Sequence, residues 1–90
     1  MAVLMTGKVP GMTPEVYDGI AANAIPKLKQ AKGFVSHAAG MGDDGVWTVV
    51  EVWESEEDGQ RSFEENVKPN LPEGVVPDRR YRKLHNFATK

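Results

Sequence analysis

The side chains best suited to chemistry in this sequence are a histidine, a glutamate and a tryptophan on two neighbouring predicted strands. His37 lies in the segment 34–41, and Glu51 and Trp53 lie in the segment 46–54. A carboxylate beside an imidazole favours the imidazolium and could give the histidine a near-neutral titration, which suits a general base. A flat indole could stack on an aromatic ligand. The alternatives are a cross-strand polar pair that satisfies itself, for His37 and Glu51, and core packing at a dimer centre, for Trp53.

The turn between these two strands determines which of their residues face each other. The segment 42–45 is Gly-Asp-Asp-Gly, which suits a type I turn followed by a left-handed glycine bulge. A plain two-residue turn would shift the pairing by one and send His37 to the opposite face. We favour the bulge, with a valine face under the helices and a tryptophan face lining a barrel interior. The predicted pairs are Gly42 with Val46, Met41 with Trp47, Ala39 with Val49, His37 with Glu51, and Val35 with Trp53.

Alternating and helical patterns predict six elements. Apolar residues alternate over 2–9, 34–41, 46–54 and 79–88, which indicates strands, and helices are predicted over 14–31 and 56–68. Two strand–helix–strand halves with right-handed crossovers give a four-stranded antiparallel sheet in the order 4-1-3-2. Both helices then lie on one face, which is the ferredoxin-like α+β fold.

Two residues inside the predicted helices are unusual for a regular helix. Pro26 cannot donate to the carbonyl of Ala22, so a kink or restart of the first helix is expected near residues 23–25. Gly59 lies on the thin apolar face of the second helix and is expected to allow close backbone approach.

Length and composition exclude several classes of function. A chain of 90 residues buries only about 60–65% of its unfolded surface, so we expect one domain, 1–90, and a gain from a partner subunit. The net charge of −2 does not suit a general nucleic-acid binder, and the lack of cysteine removes thiolate sites and disulfides. No metal site is expected. We also find no targeting signal and no membrane span, so the expected location is the cytoplasm.

Several further residues could contact a ligand or a partner. Trp47 lies next to the hairpin tip, at the rim or an interface, and His85 lies on the last strand, either near a ligand or as an exposed edge residue. The basic run 79–83, which includes Arg82, could bind an anion or simply block edge pairing. Tryptophans on a sheet face without helices would make a poor monomer, which predicts a homodimer.

Three motifs resemble those of the antibiotic-biosynthesis-monooxygenase-like proteins. Val-Val-Glu-Val-Trp-Glu-Ser at 49–55, followed by an acidic helix start, is similar to the third-strand signature of that family. The segments 10–17 and 84–87 resemble small members, and the likeness covers nearly the whole chain. The resemblance implies a dimeric α+β barrel in which two sheets pack face to face.

The family contains several activities, so the resemblance constrains function weakly. Its haem-degrading branch has an axial histidine on the second helix and an asparagine on the first strand. Segment 55–67 has no histidine, and Thr6 is the only uncharged polar side chain on the first strand. Its quinone-forming branch has a tryptophan at the position of Trp53 with asparagine, tyrosine and arginine helpers. The asparagine is absent here, and the arginine would be Arg80 or Arg82.

Two functions therefore remain open at this point. The first is a small-molecule-binding dimer, a cofactor-independent monooxygenase acting on an aromatic or polyketide-like substrate. In it His37 is the base beside Glu51, Trp53 is the stacking wall, an arginine stabilises an anion, and no cofactor takes part. The second is a non-catalytic module whose interior is filled by its own side chains. An open cavity with convergent polar groups would favour the first.

Overall fold

The computed structural model describes residues 2–90. Its elements follow the predicted order of strand, helix, strand, strand, helix, strand. The second helix continues directly into a π-helical turn, Phe63–Val67, and a 3-10 turn, Lys68–Asn70, so the helical stretch predicted over 56–68 changes type at residue 63. The bounds are β1 Val3–Val9, α1 Pro14–Gln30, β2 Phe34–Met41, β3 Trp47–Trp53, α2 Glu56–Ser62 and β4 Asp78–Lys83.

The four strands form one antiparallel sheet in the order β2-β3-β1-β4. This is the order predicted from the sequence, and it confirms the ferredoxin-like α+β fold. Strands β1 and β3 occupy the centre, while β2 and β4 are the edges.

Both helices begin at side-chain caps. The Thr13 hydroxyl accepts a hydrogen bond from the Val16 amide at 3.2 Å, and Pro14 occupies the first helical position. The Ser55 hydroxyl accepts from the Asp58 amide at 3.1 Å. Helix α1 then runs unbroken through Pro26 to Gln30, so the predicted restart near residues 23–25 is wrong. Buried side chains on both sides of the proline hold the helix together across the missing bond.

Replacing Pro26 with alanine is expected to raise the free energy of unfolding by about 1–3 kcal/mol, because it restores an amide donor inside the helix. Pro26 is exposed, so the substitution should leave the sheet and the assembly unchanged. Urea denaturation measures the gain, with Pro14→Ala as the control, since proline suits the first helical turn. An equal gain in both variants would contradict the expectation.

The hairpin register follows the turn as predicted. Gly45 has a φ of +79°, and the Gly42 amide donates to the Val46 carbonyl at 2.9 Å. The pairing differs at the far end, where a bulge at Val35 brings Phe34 opposite Trp53, so the predicted Val35–Trp53 pair is wrong. The pairs Met41–Trp47, Ala39–Val49 and His37–Glu51 are observed.

The assignment of the two sheet faces was wrong. The tryptophan face, not the valine face, lies under the helices: Trp47 is 8% exposed and Trp53 0%, and Trp47 packs on Tyr17 of α1 at 4.9 Å between ring centroids. On the opposite face Val50 is 39% exposed. The indole rings provide the larger apolar area, and the helices bury it. We call the opposite face, which carries Leu4, Thr6, Ala38, Val50, Arg80 and Arg82, the bare face; Val52 lies on the same side but is buried, at 4% exposed.

Strand β4 is shorter than predicted and ends at Lys83 rather than at residue 88. Its single neighbour is β1, which begins at Val3, so the last ladder pair is Val3–Lys83. The Leu84 amide still donates to the Ala2 carbonyl at 3.1 Å. Beyond it, residues 2–90 offer β4 no further strand to pair with, and His85 lies outside the sheet and exposed.

Candidate functional site

A small cavity lies between helix α1 and the tryptophan face of the sheet. Its volume is about 70 Å³, and its walls are mainly apolar. An apolar cavity of about 150 Å³ holds benzene, so this one is too small for a ring-sized ligand unless its walls move. Two flexible methionines among the lining side chains can adapt to a ligand. The lining includes Met5, Met12, Tyr17, His37, Trp47 and Glu51.

A continuous chain of hydrogen bonds joins four side chains at this cavity. Tyr17 Oη lies 2.5 Å from His37 Nε2, and His37 Nδ1 lies 2.6 Å from Glu51 Oε2. Trp53 Nε1 donates to the other carboxylate oxygen, Glu51 Oε1, at 2.9 Å. The register of the hairpin thus brings together His37 and Glu51, and the helix adds a tyrosine.

Both nitrogens of the His37 ring are occupied. The Glu51 carboxylate only accepts, so Nδ1 carries a proton, and in the neutral ring Nε2 accepts from the Tyr17 hydroxyl. Burial, together with the nearby charges of Glu51 and Asp18, raises the pKa of Tyr17, which keeps its hydroxyl protonated at neutral pH. Tyr17 Oη, which donates to His37, keeps a lone pair that can accept a hydrogen bond or a proton from a ligand.

Trp53 does not line the cavity, contrary to the stacking role inferred from the sequence. It is fully buried, its indole N–H holds Glu51, and Phe34 packs against its ring edge-on at 5.4 Å. Helix α2 closes over it at Gly59, where an added Cβ would lie 3.0 Å from Trp53 Cδ1 and 2.8 Å from Tyr81 Oη. The close approach predicted at Gly59 is confirmed.

Arg79 is the cavity arginine; the sequence placed it in the basic run 79–83 but favoured Arg80 or Arg82 for the site. It lies opposite Gly7, on the same side of β4 as Tyr81, whereas Arg80 and Arg82 point to the bare face. Because side chains alternate along a strand, the sequence already predicts that Arg79 shares the face of Tyr81. Arg79 Nη2 donates to Tyr81 Oη at 2.6 Å, and the guanidinium carbon lies 4.1 Å from the centre of the Phe63 ring.

Tyr17 was missed, although its helical spacing with Ile20 and Leu28 already indicated the face of α1 that meets the sheet. Trp47, expected at a rim or interface, lies instead in a buried cluster with Val9 and Met12 at one end of the cavity.

Among residues 2–90, no group of three or more histidine, aspartate and glutamate side chains is placed to hold a metal ion. None of the helices described is long and apolar enough to cross a membrane.

Comparison with known proteins shows the fold but gives no close relative. No protein-family model matches the sequence, and no curated protein matches it either. Among solved structures, SnoaB from Streptomyces nogalater, a cofactor-independent oxygenase, aligns over 99% of this chain and 98% of its own, at 13% identity and a TM-score of 0.69.

Two further solved structures have the same fold as this chain. A proposed antibiotic biosynthesis monooxygenase from Chloroflexus aurantiacus covers 99% and 98% of the two chains, with 16% identity and a TM-score of 0.66. The monooxygenase ActVA-Orf6 of Streptomyces coelicolor, solved with nanaomycin D, covers 99% and 92%, with 14% identity and a TM-score of 0.64. The chain therefore has the fold of the antibiotic-biosynthesis-monooxygenase-like proteins, as the resemblance in sequence implied. At these identities the likeness establishes the fold alone.

Proposed function

We propose that the cavity binds a small aromatic carbon acid or phenol and that the protein oxidises it with dioxygen, as a cofactor-independent monooxygenase. The observation that carries this proposal is the chain of hydrogen bonds from Tyr17 through His37 to Glu51 in an apolar cavity. The oxygenase activity of SnoaB and the nanaomycin D bound to ActVA-Orf6, on the same fold, support it.

The first step is removal of a proton from the substrate. Tyr17 Oη accepts this proton as its own hydroxyl proton moves to His37 Nε2, and Glu51 stabilises the imidazolium through Nδ1–H. Trp53 holds the second oxygen of Glu51, so the carboxylate cannot rotate away from the ring. Tyr17 and His37 are the catalytic residues of this proposal, and Trp53 is a positioning residue.

The second step uses dioxygen as the oxidant. The substrate carbanion transfers one electron to dioxygen, and the resulting radical pair forms a C–O bond, which gives a peroxide anion. The proton held on His37 returns through Tyr17 to the outer oxygen. Loss of the remaining C–H hydrogen with cleavage of the O–O bond then releases water and leaves a ketone. One atom of dioxygen enters the product. The other is reduced to water by two electrons from the substrate.

The test is aerobic incubation of the purified protein with 1-naphthol and with anthrone, which differ in size. We expect 1,4-naphthoquinone or anthraquinone to form with one dioxygen consumed per quinone, measured by absorbance and an oxygen electrode. The reaction should proceed without flavin and with a metal chelator present, and an anaerobic sample is the control. A rate equal to that in buffer for both compounds would contradict the proposal.

The small cavity volume supports a second candidate, the non-catalytic module. At about 70 Å³ the space is smaller than a ring-sized ligand needs, and adaptation would depend on the methionine side chains. A module of this kind would neither bind nor oxidise either compound.

We also propose that residues 1–90 act as one domain and pair as a homodimer through the bare face. The sequence predicts this dimer from tryptophans on an uncovered sheet face, but both indoles lie under the helices. The bare face instead presents small and branched side chains at its centre, where Val50 lies opposite Thr6 and Ala38. A flat apolar centre flanked by arginines suits packing against a second copy.

Introducing a charge at the centre of the bare face is expected to dissociate the dimer. Val50→Asp would bury two carboxylates near the two-fold axis, so the dissociation constant should rise by at least about a hundredfold. Sedimentation equilibrium measures it. The matched control is Val76→Asp, since Val76 is 77% exposed in a loop and should not affect assembly. A monomeric unsubstituted protein at micromolar concentration would contradict the proposed dimer.

A further inference from the structure

Strand β1 lacks a side chain at the middle of the cavity wall. Met5, Gly7 and Val9 alternate onto the tryptophan face and line the cavity. Met5 is fully buried and Val9 is 5% exposed, so both fill the space beside them. Between them Gly7 is buried as well but contributes only backbone. The cavity therefore reaches the main chain of a central strand at this position.

Neither of the usual reasons for a buried glycine applies to Gly7. Its φ lies outside the left-handed region, and an added Cβ would come no closer than 3.5 Å to Met5 Sδ and 3.7 Å to Arg79 Cγ, which is ordinary van der Waals contact. At Gly59, by contrast, the same atom would lie 2.8 Å from Tyr81 Oη. Glycine weakens a strand interior because it loses more conformational entropy than other residues on folding. The fold would therefore accept alanine at position 7, and glycine gives it no structural advantage.

The gap at Gly7 lies in the row of the sheet that Tyr17 spans. Gly7 pairs with Val49 on β3, one strand spacing of about 4.8 Å away. On the same face of β3, Val49 lies between Trp47 and Glu51. Tyr17 packs on Trp47 and bonds through its hydroxyl to the histidine that Glu51 holds. A ligand that delivers a proton to Tyr17 Oη while lying flat on the sheet therefore covers Gly7.

The side chains that lean over the gap are both flexible. Met5 and Arg79 are unbranched, and each reaches the space above Gly7 with atoms beyond its own Cβ. When they turn aside, the face of a ligand meets uncovered main chain rather than a side chain. A glycine in a strand interior often marks such a close approach. The same movement enlarges a space that is otherwise only about 70 Å³.

We propose that Gly7 is the specificity-determining residue of the cavity: the absent side chain admits the ring of the ligand to the backbone of β1 and sets the largest ring system that fits. Gly7 takes no part in proton transfer, and its effect is steric. This inference rests on the proposed function, because it names the residue that selects the substrate of the same cavity by size.

The test measures binding in the absence of dioxygen, so that no turnover occurs. The probes are phenol, with one ring, and 1-naphthol, with two. By isothermal titration calorimetry, Gly7→Ala is expected to weaken 1-naphthol by at least about tenfold and phenol by less than about threefold, because the new methyl group takes space that only the larger ring needs. Gly7→Val should weaken 1-naphthol further.

The stability of the protein should change in the opposite direction. Gly7→Ala restricts the unfolded chain, so its melting temperature should rise by about 2–8 °C. A loss of affinity with a gain of stability separates a binding role from a structural one. The matched control is Gly40→Ala, which adds the same methyl group to β2, where Gly40 is exposed and no atom lies within 4 Å of the new Cβ. It should leave both affinities unchanged.

A lower melting temperature of Gly7→Ala would overturn the proposal, since the glycine would then have a structural reason. Equal weakening of the two probes, an unchanged affinity for 1-naphthol in Gly7→Val, or no binding of 1-naphthol to the unsubstituted protein would overturn it as well.

The size effect and the oxygenase activity can fail independently. A protein that shows the size effect but oxidises neither 1-naphthol nor anthrone has the selection without the activity. A protein that oxidises 1-naphthol equally fast before and after Gly7→Val has the activity without the selection.

Discussion

Replacing His37 with glutamine is expected to lower kcat for oxidation of 1-naphthol or anthrone by about 10²–10⁴-fold, the usual contribution of a general base. Glutamine can still hydrogen-bond to Glu51 and Tyr17, but it cannot take up the proton that Tyr17 passes on. Because those contacts are largely kept, the free energy of unfolding should fall by only about 1–3 kcal/mol.

The matched control is His85→Gln, since the second histidine lies exposed beyond the sheet and should change neither turnover nor stability. Tyr17→Phe tests the preceding step of the proton path, from the substrate to Tyr17. It keeps the ring against Trp47 and removes the hydroxyl that reaches His37. It should lower kcat more than it raises KM. For the three variants, steady-state kinetics give kcat and KM, and thermal melts give the melting temperature.

A purely structural role of His37 gives a different result. In that case His37→Gln would lower the melting temperature and leave the rate per folded molecule unchanged. Equal loss of rate in His37→Gln and His85→Gln would likewise contradict the proton path.

Replacing Gly59 with alanine is expected to destabilise the protein by about 1–3 kcal/mol, although alanine is the better helix former. The new Cβ would lie 2.8 Å from Tyr81 Oη and 3.0 Å from Trp53 Cδ1, and Trp53 is fully buried and cannot move aside freely. Any shift of Trp53 also disturbs its hydrogen bond to Glu51, so turnover should fall with stability.

The control is the same substitution in the other helix. Gly19 is exposed in α1 and has no atom within 4 Å of an added Cβ, so Gly19→Ala should stabilise by about 0.5–1 kcal/mol. Chemical denaturation should therefore show a lower free energy of unfolding for Gly59→Ala and a higher one for Gly19→Ala. A gain in both variants would mean that α2 does not approach Trp53 as closely as described.

Local residues determined the register of the candidate site. The turn ending in Gly45 requires a left-handed residue, and only glycine adopts that conformation without strain, so His37 falls opposite Glu51 whatever surrounds the hairpin. The strand order followed in the same way, from right-handed crossovers and short connections.

A local sequence pattern could not predict the features whose outcome depends on tertiary contacts. The end of β4 depends on where β1 begins, and the bulge at Val35 depends on how Phe34 packs on Trp53. The unbroken helix through Pro26 likewise depends on packing on both sides of the proline. Each outcome is set by contacts distant in sequence, which outweigh the local signal.

The sequence by itself thus determined which residues share a face of the sheet, because side chains of a strand alternate strictly. Only the tertiary structure decided which face the helices cover, since both faces of β3 are apolar and alternation cannot rank them. That choice put Tyr17 beside His37 and brought Arg79 to the wall of the same cavity, and it moved Trp53 from the predicted wall to a support beneath the carboxylate. The pairing of histidine with glutamate is a property of the hairpin, but the cavity around it is a property of the packed helix and sheet.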